Sequence, residues 1–97
     1  MNNNIYKILN EVALTHWICG DGMPTKSWGL TLCTDSYTLL EVKILINVLN
    51  IRYGLICTIH TPRENQYRIH ISKHSMDIVR TLVSSHMPKS MKYKIHL

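Results

Sequence analysis

The chain has 97 residues, 45% of them hydrophobic, and a net charge of +5. That length sets the expectation of one domain over residues 1–97 with a modest core, and the apolar content excludes a disordered polymer. The basic balance suits a polyanion, because basic side chains release counterions from phosphates, but it equally fits a small domain that binds nothing anionic.

The start, Met1-Asn2-Asn3-Asn4, lacks the charged-then-apolar order of a secretion signal. Ile5, Ile8, Leu9 and Val12 then fall at helical spacing, and the apolar run continues through Ala13, Leu14, Trp17 and Ile18. One of Asn2 to Asn4 is the expected cap. Gly20 and Gly22 are expected to end this helix through left-handed backbone, and Pro24 prevents a restart. No apolar run reaches the roughly 18 residues of a membrane span, since Thr15, His16, Asp21 and Lys43 interrupt the candidates.

From Met23 to Thr34 the pattern reads as a hairpin, with Leu30 and Leu32 on one face and Gly29 and Thr31 on the other. Thr38-Leu39-Leu40-Glu41 is a capping box. It opens a helix with a buried stripe of Leu39, Val42, Ile46 and Leu49, closed by Gly54. A second hairpin pairs Ile56–Thr61 with Tyr67–Ile71 around a turn over Pro62–Gln66. Tyr67, Ile69 and Ile71 point inward, Arg68 and His70 outward. A last helix runs from about Ser75 to His86, burying Ile78, Val79, Leu82 and Val83, and Pro88 stops it. The order α-β-β-α-β-β-α predicts an α+β fold: one four-stranded antiparallel sheet with helices on one face and the other face open.

The cysteines, Cys19, Cys33 and Cys57, are odd in number and widely spaced, which indicates a reducing compartment rather than a disulfide framework. Cys57-x-x-His60 with His70-x-x-x-His74 has zinc-like spacing. Residues three apart on a strand face opposite sides, which argues against a shared ion.

Asp21 is the candidate for chemistry. An acid at a helix C-terminus opposes the helix dipole, and a bound cation would offset that cost. Gly20-Asp21-Gly22 also reads as a solvated turn. The segment Leu14-Thr15-His16-Trp17-Ile18-Cys19-Gly20-Asp21-Gly22 resembles the LAGLIDADG motif of homing endonucleases and intron maturases. The resemblance extends through Leu32–Val42, Tyr67–Ile71, Ser75-Met76 and the ending Met91-Lys92-Tyr93-Lys94. Cys19 and His16 depart from the consensus, at an acidic and a small position respectively.

In that family two motif helices pack together, and each delivers a carboxylate to a divalent metal over DNA. The resemblance therefore implies half of a homing endonuclease, similar to the second half of two-motif members. It implies Mg²⁺ held by Asp21, with Lys94 supporting catalysis, although Lys94 also reads as a basic tail residue beside Lys89 and Lys92. The apolar run of Leu14–Gly20 is the expected interface helix, with Leu14, Trp17 and Gly20 at the contact. Trp17 also reads as ordinary packing. Lys26, Trp28, Thr31, Thr58, His60, Arg63, Arg68 and His70 lie on or beside the open sheet face and form the expected nucleic-acid surface. The expected partners are DNA or RNA and a second half-domain, either a copy of this chain or a separate one, with no membrane. The rival reading is a non-catalytic RNA binder: a splicing maturase or a component of an organellar ribonucleoprotein such as a ribosome. Abundant Ile, Asn, Lys and Tyr fit an AT-rich organellar genome, mitochondrial or chloroplast, whereas the absence of Phe does not.

Overall fold

The computed structural model describes residues 9–97. The expected caps Asn2 to Asn4 and the apolar positions Ile5 and Ile8 lie outside the described residues. Helix α1 spans Glu11–Asp21. Its cap is Asn10, in extended backbone, whose side chain accepts from the Ala13 amide at 2.8 Å. That short polar side chain satisfies a free donor and sets the helix start at Glu11.

Strand β1 (Gly22–Pro24) follows α1 directly and pairs with β2 (Leu30–Leu32). Gly22 is not left-handed, as expected from sequence, but extended, with φ −78°. Its small size serves a close approach, since a Cβ there would come within 2.6 Å of the Ile18 carbonyl oxygen.

Helix α2 (Leu39–Tyr53) opens on the expected capping box, with Thr38 and Glu41 each bonding the other's backbone amide. It closes at Gly54, which takes the left-handed conformation at φ 71°. Its buried residues are Val42, Leu45, Val48 and Leu49, while Leu39 and Ile46 are only half-buried. A helix apolar on nearly every side does not reveal from its own sequence which side the sheet will cover.

Strands β3 (Cys57–Arg63) and β4 (Gln66–Ile71) form the second hairpin. The expected turn narrows to Glu64-Asn65, because β3 continues through Pro62. The sheet order β1-β2-β4-β3 puts β3 at the edge, where a residue without an N–H is tolerated, and the pairing is irregular between His60 and Arg63.

Helix α3 (Met76–Val83) is shorter than expected, extended by 3₁₀ turns at Lys73–Ser75 and Ser84–His86. It buries Met76, Val79 and Val83; Ile78 is 38% exposed and Leu82 half-buried. After Pro88 a 3₁₀ segment, Lys89–Ile95, folds back and buries Ile95. The core joins Leu14 and Ile18 of α1 to Val42 and Leu49 of α2, Leu30 and Leu32 of β2, Ile69 and Ile71 of β4, and Val79 and Val83 of α3. The fold is α+β, a four-stranded antiparallel sheet with helices on its core face. Among the described residues no helix is long and apolar enough to cross a membrane.

Candidate nucleic-acid interface and acidic helix end

Asp21 is the last residue of α1, and its side chain is exposed. The chain turns straight from this residue into the sheet. The Gly22 amide donates to the Ile18 carbonyl, and the Asp21 carbonyl accepts from Cys33 N–H at 3.0 Å. The acid is thus held at a junction of helix and sheet rather than on a free turn.

Lys94 reaches the same helix end. Its Nζ donates to the Cys19 carbonyl oxygen at 2.7 Å. An ammonium on a last-turn carbonyl is where the helix dipole favours a cation. The tail is anchored by burial of Ile95 and by Arg80, whose Nε donates to the Ile95 carbonyl at 2.9 Å. Tertiary folding thereby brings an exposed carboxylate and a half-buried lysine to one helix terminus.

Among the described residues no three His, Cys, Asp or Glu side chains form a metal-holding group. One exposed carboxylate is a hard oxygen donor of the kind Mg²⁺ takes, since that ion keeps water and phosphate oxygens for most of its shell. The donor set fits half of a shared site and does not fit a self-contained one. Cys57 suits no metal role: it is half-buried on the core side of β3, and burial pushes its thiol up to about 12.

The surface of α1 divides sharply. Leu14, expected at an interface, is 0% exposed and belongs to this chain's own core with Ile18. The exposed stripe consists instead of Val12, His16 and Gly20, four residues apart in turn, flanked by half-buried Ala13 and Trp17. Among the described residues a Cβ on Gly20 would meet nothing within 4 Å, so no packing among them requires glycine there.

The open sheet face carries a row running across all four strands: Met23, Thr31, His70 and Thr58, joined by the pairs Met23–Thr31, Thr31–His70 and Thr58–His70. The His60–Arg68 pair lies beside it. The His60 and His70 rings stack, 4.7 Å apart and 8° from parallel. Burial holds His70 below its ordinary value, with His60 adding a smaller push in the same direction, and its Nδ1 has no hydrogen-bond partner. Thr31 departs from the expected contact surface, because at 9% exposure it is nearly covered. It lines a depression of about 490 Å³ with Met23, His60 and Arg68.

Lys26 and Trp28 lie at one hairpin end and Arg63 at the other, where its charge acts on Asp35, and the strand register puts the two ends at opposite limits of the sheet. Trp28 is 63% exposed, takes a left-handed φ of 71°, and packs its ring 5.2 Å from that of His96. Arg68 was expected to point outward from the sheet. It is engaged by Asp35: Nε and Nη2 donate to Oδ1 and Oδ2, each at 2.8 Å. Those bonds hold the Asp35 carboxyl below its usual range and raise Arg68 further. Asp35 was absent from the sequence-based site. Its pairing depends on which strand neighbours β2, and no local pattern encodes that.

A four-stranded antiparallel sheet with one open face, fed directly by a helix that ends in an exposed acid, is an arrangement this chain shares with known proteins. The chain belongs to the LAGLIDADG DNA endonuclease family, whose model matches residues 1–79. It is 36% identical over 94 residues to the cytochrome b mRNA maturase bI2 of Debaryomyces hansenii, covering 96% of this chain and 36% of that protein. It is 36% identical over 92 residues to the intron-encoded endonuclease ai4 of Dictyostelium discoideum, covering 94% of this chain and 57% of that one. The solved structure of the homing endonuclease I-WcaI bound to its DNA recognition sequence matches with a TM-score of 0.86 at 30% identity, over 98% of this chain and 48% of that one. The chain thus spans about a third to three-fifths of the length of these relatives.

Proposed function

We propose that residues 1–97 are one half-domain of a homing endonuclease, which becomes competent when α1 packs against a second half-domain, either another copy or a separate chain. The observation that carries this is Gly20. A glycine inside a helix costs about 1 kcal/mol relative to Ala, and nothing among the described residues requires it. Close approach of a second helix supplies the reason. Asp21 follows directly, so the same approach would bring two carboxylates together.

In the assembled protein the open sheet face would lie along duplex DNA, and Asp21 with its counterpart would hold Mg²⁺. LAGLIDADG endonucleases are generally metal-dependent; the ion supplies a polarised water and charge neutralisation at the scissile phosphate. Asp21 contributes the anionic ligand. Lys94 contributes positive charge at the helix end, able to organise water or stabilise the leaving oxygen. The match to cytochrome b mRNA maturases supports an organellar setting, mitochondrion or chloroplast, and favours a second reading in which the same face binds intron RNA without cleavage.

The test is a Mg²⁺-dependent cleavage assay on duplex DNA with the assembled pair, run beside RNA binding. Cleavage that disappears in Asp21→Asn supports the nuclease. Tight RNA binding by an assembled wild type that leaves DNA intact supports the maturase reading.

A further inference from the structure

Asp35 and Arg68 form a bidentate pair beside the open face of the sheet. A guanidinium carries five N–H donors. Asp35 takes the Nε–Nη2 edge and leaves the Nη1–Nη2 end edge with no partner among the described residues. That end edge is the two-pronged donor which matches O6 and N7 of guanine in the major groove.

The carboxylate is itself held in place. Thr34, 2% exposed, donates its hydroxyl to the Tyr67 carbonyl, and the Tyr37 amide bonds the Thr34 carbonyl at 3.0 Å. The loop after β2 is therefore tied to β4 just before Asp35, at the residue preceding Arg68, and the Tyr37–Thr34 bond closes the turn that carries Asp35. The pair is only half-buried, with side chains 29% and 35% exposed, so the free edge is reachable. Arg68 is oriented on folding rather than on binding, which removes an ordering cost from recognition.

Resting on the nucleic-acid reading above, we propose that Asp35 and Arg68 form a guanine-reading site for duplex DNA, in which Arg68 contacts the base edge and Asp35 is the positioning residue that fixes it. RNA duplexes are a different outcome, because their deep, narrow major groove excludes such a side chain. A carboxylate facing phosphates opposes general affinity. A pair used for reading therefore exchanges affinity for selectivity, and a structural brace does not.

The experiment selects sites from a pool of randomised duplex DNA with the assembled pair of half-domains, wild type and variants, after thermal melts establish that each is folded. The wild type is expected to favour guanine at one position. Asp35→Asn should reduce that preference about ten-fold or more while strengthening binding to the unselected pool. Arg68→Lys keeps the charge but loses the fork, and should lose the same guanine preference. Unchanged guanine preference in either variant overturns the proposal, as does a uniform loss across all sequences in Asp35→Asn. A wild type that binds DNA in a salt-dependent way without an Arg68-dependent guanine overturns this inference alone. A wild type that binds no duplex at low salt overturns the interface reading as well.

Discussion

Single residues show how this site separates charge by role. The Lys94 ammonium occupies the helix end that would otherwise disfavour Asp21, so the acid stays exposed beside a fixed cation. In the assembled protein Asp21→Asn is expected to abolish Mg²⁺-dependent cleavage with binding largely intact, since the amide keeps the shape and loses the metal-anchoring charge; paired cleavage and binding assays read both. Lys94→Met should slow cleavage less, because it tunes the site rather than holding an ion. His70 gives a pH signature. Its folded value lies below the ordinary 6.5, mainly through burial. As pH falls through that value the unfolded chain takes up the proton first. Its contribution to stability is therefore whole above 6.5 and is lost as pH drops from there through the folded value. Melting temperatures of wild type and His70→Gln across that window should diverge, with the wild type falling more steeply. A parallel pair of curves would remove the argument.

Helix α1 works on two sides at once, and substitutions should separate them. Leu14 is in the core, so Leu14→Ala should destabilise the chain by about 2–5 kcal/mol in a denaturant titration. A Cβ on Gly20 meets nothing among the described residues, so Gly20→Ala should leave stability unchanged or raise it by up to about 1 kcal/mol. Gly20→Leu should preserve the fold yet disrupt pairing. Sedimentation that finds the same assembly in Gly20→Leu as in wild type would eliminate α1 as the contact. Gly22→Ala should be destabilising despite its chemical modesty, because its methyl would press on a backbone oxygen that helix geometry holds fixed. At α2, Thr38→Ala removes half of a complete capping box, for an expected loss of about 1 kcal/mol.

On the proposed reading the molecule presents two faces to different partners: the exposed stripe of α1 would meet another half-domain, and the open face of the sheet would meet nucleic acid. With a net charge of +5, DNA affinity should fall as salt rises, with a slope set by the phosphates neutralised. Pairing through an apolar helix face should respond weakly to the same salt. Fluorescence anisotropy on labelled duplex and sedimentation on free protein, each over a salt series, would distinguish the two dependences. Equal sensitivity in both would contradict the division of surfaces.

The order of helices and strands, the Thr38 box, the Gly54 cap and the inward positions Ile69 and Ile71 were legible from sequence. Each depends on spacing within a few residues, where local sterics and periodicity dominate. Asp21 was legible because its motif is contiguous. Leu14 was misassigned because a helix apolar all round does not say which side its own core will take. The approach of Lys94 to Cys19, the capture of Arg68 by Asp35 and the stacking of His60 on His70 join residues that are distant along the chain. Strand order and the return of the tail set those contacts, and these follow from burying the whole core at once. The sequence by itself determined the family and the fold class. Only tertiary structure decided which basic side chains stand free and which are already held, because that depends on neighbours no local pattern specifies.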